Sequence, residues 1–334
     1  MNIFDIAEKT GYSIATVSRA INNSGYVSEK ARTKIMKVIE ENNFSVNAFA
    51  KGMATSSMSL AGIISTDSRD IYQAECIYHL QKALREQGFT ALLSCSGLDY
   101  EDKKAAVSSL LSRNVDMIFL IGSQFVEPTD RLNSYLFDAS KKAPVYLLNA
   151  SLDHPNIYGM RCDDARGIHD LCELTIRNGA QNPLMIIRRQ TYSAIQKISV
   201  FHQACQEGGI DPDGRILQTP EQDGAYPSME AILRGRTFDA LICCDDEVAA
   251  SALKYCLQNG ISVPCQCQIT GYNNSTLSRV STPEITSYDN GIEYLCQSAV
   301  QSMKLILDKK SCPADSVYTG TLICRESTRS SDPE

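Results

Sequence analysis

The tightest constraint on this chain sits in its first 42 residues, where three short apolar periodicities are separated by two turn clusters. Residues 3–10 place Ile3, Ile6 and Ala7 on one helical face. Thr10-Gly11-Tyr12 interrupts the repeat, and of these only Gly11 adopts a positive φ without cost. Ser13 then stands at an N-cap position, and residues 14–22 carry Val17, Ala20 and Ile21 at helical spacing. Asn22-Asn23-Ser24-Gly25 forms the second turn. Ser28 caps a third helix with Ala31, Ile35, Val38 and Asn42 on one face. Two helices joined by a tight glycine turn and closed by a third describe a helix-turn-helix headpiece. In that geometry the second helix enters the major groove with its N-terminal residues at base edges.

Ile14, Ala15, Thr16, Ser18 and Arg19 are therefore the expected base-facing residues. Arg19 can read a guanine edge bidentately, whereas Ile14 and Ala15 offer only apolar contact, as to a thymine methyl. Ser13, Thr16, Asn22 and Ser28 are short donors suited to phosphate oxygens, and Tyr26 completes the DNA-facing set. Charge follows the same division. The chain has 32 basic and 39 acidic residues, a net of −7, yet residues 1–58 hold seven basic against five acidic side chains. A mildly basic head on an acidic body suits a local polyanion contact and not general polybasic binding.

The string Gly11-Tyr-Ser-Ile-Ala-Thr-Val-Ser-Arg-Ala-Ile-Asn22, preceded by Ile3-Phe-Asp-Ile-Ala7, closely resembles the headpiece of the lac repressor/galactose repressor family of bacterial transcription regulators. Its Ala15-Thr16-Val17-Ser18-Arg19 pattern is similar to the galactose-repressor branch. The resemblance implies a headpiece over 1–45 and a hinge over 46–58 that folds on DNA and inserts an apolar lever into the minor groove. Asn47 and Ala50 match that pattern, and Met53 stands where a Leu is usual. A wedge of this kind kinks a base step by unstacking it.

From Leu60 strand-like and helix-like segments alternate: strands at 60–66, 90–94, 117–121 and 144–148, with helices at 72–87, 101–113 and 131–140. A second series follows, with helices at 167–178, 199–208 and 247–259 and strands at 184–187, 240–244 and 268–272. Such alternation gives parallel sheets with helices on both faces. The matching stretches Gly62–Asp67, Cys162–Asp164, Cys244–Ala249 and Gly271–Asn274 extend the resemblance over 59–334. They imply an α/β core like a periplasmic binding protein, with two Rossmann-like lobes at about 59–159 plus 289–315 and about 160–288. A last helix near 291–307 returns to the first lobe.

By the same resemblance Asp70, Tyr72, Ser193, Lys197, Asp245, Asn273 and Asn290 are the expected effector-binding residues, for a sugar or sugar derivative. Lys197 stands where the family commonly has Arg, Asp245 replaces Asn, and Asn273 replaces Asp. Asp223 lies about where the family often places an aromatic wall. Arg188-Arg189 reads as a solvated strand end, with an anion-holding pair for a sugar phosphate as the alternative.

Several function classes are disfavoured. There is no dinucleotide, P-loop, zincin or nucleophile-elbow motif, so no enzyme and no cofactor are expected. The N-terminus lacks a signal-peptide pattern and no apolar run reaches membrane length, which places the protein in the bacterial cytoplasm, on the nucleoid. Thirteen scattered cysteines and four histidines lack zinc-site spacing, so no metal is expected. A redox- or metal-responsive regulator and a carbohydrate-processing enzyme are the alternatives. The expected partners are operator DNA, a sugar-like effector and a second copy of the chain.

Overall fold

The computed structural model describes residues 3–22, 25–42, 58–220 and 229–329. Asn47, Ala50 and Met53 of the expected hinge lie outside them, as does Asp223. The chain divides into two compact units, Met1–Ser59 and Leu60–Glu334.

The first unit contains α1 (Ile3–Thr10), α2 (Ile14–Asn22) and α3 (Glu29–Glu41). Ile6, Val17 and Ile35 are fully buried, with Ala20 and Ala31 nearly so. The Thr10 hydroxyl donates to the Ile6 carbonyl at 2.6 Å, and Gly11 turns the chain at φ 71°. Ser28 caps α3 by accepting the Ala31 N–H at 3.4 Å. So small a core leaves little reserve: each large apolar side chain contributes about 1.5–3 kcal/mol on burial.

The second unit builds two sheets. The first holds β1 (Leu60–Ser65), β2 (Thr90–Cys95), β3 (Met117–Ile121), β4 (Val145–Leu148), β5 (Ile157–Cys162) and β11 (Asp315–Tyr318), in the order β11-β5-β4-β3-β1-β2 and all parallel. Alternation sends Ile63, Phe119 and Tyr146 toward α4 (Ile71–Glu86) and α12 (Ile292–Leu307). Ile64, Ile118 and Leu147 point the other way, onto α5 (Tyr100–Leu111) and α6 (Asp130–Ser140).

The second sheet holds β6 (Pro183–Ile187), β7 (Ile216–Gln218), β8 (Ala240–Cys243), β9 (Gln268–Tyr272), β10 (Thr286–Asp289) and β12 (Thr321–Ile323). Its order is β12-β10-β9-β8-β6-β7, and only β12 runs antiparallel. Met185, Ile187 and Ile242 pack on α7 (Asp164–Arg177) and α8 (Tyr192–Glu207), while Ile186, Leu241 and Ile269 pack on α10 (Asp246–Gln258).

The expected α/β class and the return of the last helix hold, but four elements sit differently. β5 extends the first sheet to Cys162, so residues 160–162 belong with the first lobe and not the second. The strand at 315–318 also joins the first sheet, and the chain then crosses a third time to supply β12 and a segment whose Ser327 bonds Ile269 and Thr286. Helix α8 begins at Tyr192 and not near 199, because Thr191 caps it by accepting the Ala194 N–H at 3.3 Å.

Candidate functional site

In the first unit the N-terminal end of α2 is open. Ser13, Ile14 and Ala15 are exposed, whereas Val17 and Ala20 face the core. Ser13 caps this end, accepting the Thr16 N–H at 3.2 Å and sharing a 2.9 Å hydrogen bond with the Thr16 hydroxyl. Ser18 is half-buried. Arg19 is exposed, with its stem lying over Gly25. Tyr26 is 89% exposed, an unusual position for so large an aromatic, and the Ser28 hydroxyl oxygen caps α3. Asn22 ends α2. The expected DNA-facing residues described thus divide into an exposed helix end and two short turns.

The second unit carries a cavity of about 770 Å³ between its two lobes. It opens where β1 and β3, and β6 and β8, send their following segments to opposite sides of the sheet. Ligands of open α/β sheets bind at such switch points, beyond the strand carboxyl ends. The segment after β1 is held by Gln73, whose Oε1 accepts the Thr66 N–H at 2.8 Å, and by Gln124, which donates to Thr66 Oγ1 at 2.7 Å. The Ser123 and Thr191 hydroxyls meet at 2.9 Å and join the lobes.

Asp70, Tyr72, Ser193, Lys197, Asp245 and Asn273 all line this cavity. Their roles differ from the expectation. Asp70 caps α4 by accepting the Gln73 N–H at 3.0 Å, and burial raises its pKa above the usual carboxylate value despite that bond. Tyr72 contributes a ring whose buried hydroxyl is strongly held in its protonated form by desolvation. Ser193 donates to Asp164, and Tyr272 donates to the same carboxylate at 2.8 Å. The Lys197 ammonium sits 3.4 Å over the Tyr272 ring, 3.3 Å from the Cys244 carbonyl and 3.9 Å from Asp164. Ser193 and Lys197 are therefore a bonded floor and not free clamps. Gly167 makes this floor possible, since a Cβ there would lie 2.8 Å from the Tyr272 hydroxyl and the Tyr288 ring.

Asn273 adopts φ 93°, which Asn tolerates better than most residues. Asn290 lies behind it, donating to Asn273 Oδ1 at 2.9 Å. It is 4% exposed and positions Asn273 from behind the wall. Asp245 is the N-cap of α10, accepting the Val248 N–H at 2.8 Å, and is also an ion-pair partner.

That partner is Arg188, and its expected place as a solvated strand end is wrong. Its Nε stands 2.8 Å from Asp245, its Nη2 2.5 Å from Glu247, and its Nη1 4.0 Å from Asp70 of the opposite lobe. Burial disfavours the Arg188 cation, but Asp245 and Glu247 outweigh it and hold its pKa above the ordinary value. Burial pushes Glu247 up to about 7, with Arg188 opposing the shift. Arg69 pairs with Asp67 at 2.8 Å on the far wall. The cavity thus presents four cations, with Arg189 the fourth, and four carboxylates. Glu247 and Asp164 were missed in the sequence. The signal was a run of two or three acids after a strand, Asp245-Asp246-Glu247 and Asp163-Asp164, where one acid caps a helix and another reaches inward.

All thirteen cysteines are free thiols; Cys95 and Cys244 line the cavity, and burial raises the Cys244 thiol strongly. Among the described residues His169, Asp170 and Glu173 lie close enough to share a cation, but Asp170 pairs with Arg166 and Glu173 with Arg177. No described helix is long and apolar enough to cross a membrane.

Residues 2–47 match the family described as bacterial regulatory proteins, lacI family, and residues 173–328 match a periplasmic binding protein-like domain. An HTH-type transcriptional regulator of Lachnoclostridium phytofermentans is 34% identical over 331 residues, covering 98% of this chain and 99% of the relative. The regulator AscG of Escherichia coli is 24% identical, covering 97% of each chain. The lac repressor dimer bound to operator and the anti-inducer ONPF shares the fold at TM-score 0.86 and 20% identity, over 99% of both chains. The complex of the transcriptional regulator CelR with cellobiose does so at TM-score 0.70 and 20% identity, over 98% of this chain and 99% of that one.

Proposed function

Because this chain belongs to the lacI family of bacterial transcription regulators, we propose that a neutral sugar or sugar derivative, bound between the two lobes, sets its affinity for operator DNA. The observation that carries this reading is the cavity itself. It lies at both switch points, has a volume within the usual 300–1,000 Å³ range for ligands, and is polar with balanced charge. Asp70 and Asn273 offer hydroxyl partners from the two lobes, Tyr72 supplies an apolar ring, and Lys197 backs the floor. The cellobiose bound by CelR is a neutral sugar of the same class.

Residues 1–45 form the DNA-binding headpiece, 46–58 the hinge and 59–334 the effector-binding core in this reading. Ile14, Ala15, Thr16, Ser18 and Arg19 meet base edges, Ser13, Asn22, Tyr26 and Ser28 meet the backbone, and Asn47, Ala50 and Met53 act at the minor groove. Two copies place two headpieces on a pseudo-palindromic operator, as two-fold symmetry requires. The protein binds its effector without turning it over and works in the cytoplasm, where the DNA is.

The test is operator binding, by fluorescence anisotropy on a duplex selected from random sequence, with and without neutral mono- and disaccharides. Expected is a sugar that shifts both operator affinity and the melting of the core. A ligand at a hundredfold its Kd adds about 2.7 kcal/mol of apparent stability. Sugars that move neither, alongside intact DNA binding, would refute effector control.

A further inference from the structure

The Arg188 cluster has a property that the presence of a cavity does not explain. A guanidinium in a ligand cleft ordinarily recruits carboxylates or phosphates, through two parallel hydrogen bonds. Here that edge of the guanidinium is already closed off by carboxylates of its own lobe, with Nη2 hydrogen-bonded and Nε buried against Asp245 without a hydrogen bond. Nη2 donates to Glu247 at 2.5 Å and to Asp245 at 3.2 Å, and Nε faces Asp245 at 2.8 Å. Asp245 is fixed as the cap of α10, so its carboxylate cannot swing away without freeing the Val248 N–H. Only Nη1 points across the cleft, and 4.0 Å from Asp70 it is beyond hydrogen-bond reach.

A donor on one lobe therefore faces an acceptor on the other with slightly too much space between them. One hydroxyl oxygen fits that arrangement, accepting from Nη1 and donating to Asp70. An anionic oxygen does not, because it has no proton to give and Asp70 would repel it.

We propose that Arg188, held by Asp245 and Glu247 and facing Asp70, is the residue that makes this cleft select a neutral hydroxyl over an anionic group. The proposal rests on the reading of the cleft as the effector site, and it names the device that sets the charge class of the ligand. The carboxylates act as the filter and Arg188 as the donor. Removing the carboxylates, and not the arginine, turns the cleft into an anion site.

The experiment uses the full-length protein and two probes, glucose 6-phosphate and inorganic phosphate, titrated at constant ionic strength against wild type, D70N, E247Q and D70N/E247Q. Melting of the core and calorimetric binding are the readouts. Wild type is expected to bind neither probe in the cleft. D70N/E247Q should bind both with affinity raised by roughly tenfold or more, the scale of one uncompensated charge near a ligand. Adding R188M to the double variant should abolish the gain, which separates the cleft from phosphate sites on the headpiece. If the double variant does not fold, D70N and E247Q alone should each show the gain in smaller measure.

Phosphate binding by wild type that R188M removes would overturn the proposal and make Arg188 an anion site. Folded carboxylate variants with no gain would overturn it too. Failure of every neutral sugar to bind wild type is a separate result, and it would refute the effector reading without affecting the phosphate measurements.

Discussion

Replacing Arg188 by Met retains the aliphatic stem and removes the cation from among three carboxylates. Breaking a fully buried pair costs about 3–5 kcal/mol, because the abandoned charges stay desolvated. Here the side chains of Arg188, Asp245 and Glu247 are 28%, 18% and 15% exposed, so water screens part of the loss. A deficit of about 2–3 kcal/mol at neutral pH follows. Its pH dependence is the sharper test. Glu247 titrates at about 7 in the fold against an ordinary value of 4.5. The fold therefore holds that proton more tightly than the unfolded chain does. This contribution is complete below 4.5 and disappears as the pH rises through 7. Without Arg188, burial acts on Glu247 unopposed, and the proton is held to still higher pH. The deficit of R188M should accordingly be greatest in alkali and narrow on acidification through neutrality. Urea unfolding followed by circular dichroism suits a chain without tryptophan, run at about pH 8.5 and about pH 6. Equal deficits at the two pH values would refute the account of a desolvated carboxylate restrained by Arg188.

Arg19→Ala should cost roughly 1–3 kcal/mol on the cognate operator and relax base preference at one position; unchanged selectivity in a binding-site selection would remove its base-reading role. Ile35→Ala should cost about 2–5 kcal/mol in a headpiece with so few buried side chains. Operator binding should then fail while the core melts as before, and loss of both transitions together would contradict two separate units. Lys197→Met should destabilise the second lobe by about 1–3 kcal/mol, since it leaves the buried Asp164 charge with only its two hydroxyl donors; a variant that melts normally and merely loses ligand would restore Lys197 as a simple clamp. Met53→Ala should weaken specific operator binding more than binding to random duplex, and equal losses would exclude a minor-groove lever.

Local chemistry made much of this molecule readable in advance. The headpiece helices could be placed from Gly11, Ser13 and Ser28 because caps and turns are short-range. The strand at 117–121 was legible because central parallel strands are apolar on both faces. Three of the four edge strands, β7, β11 and β12, were not, nor was β5. β11 exposes alternate residues and β12 is only three residues long, and β5 contains a Gly and an Arg among its six residues. The cavity residues were legible as positions, since each follows a strand or caps a helix. Their partners were not. That Lys197 lies on Tyr272, or that Arg188 is held by acids of its own lobe and faces Asp70 of the other, depends on segments up to 118 residues apart meeting in space.

The three crossings of the chain between lobes have a consequence for how the molecule is made. The first lobe lacks α12 and β11 until residue 318 has been synthesised, and the second lacks β12 until residue 323. Only the headpiece, closed by residue 41, is continuous. At about 5–20 residues per second the ribosome adds the stretch between β5 and β11 in roughly 8–30 s. For that interval a nascent chain carries a finished DNA-binding unit ahead of two half-built lobes. A message cut short after residue 41 and before residue 323 would release the headpiece without a complete core to govern it.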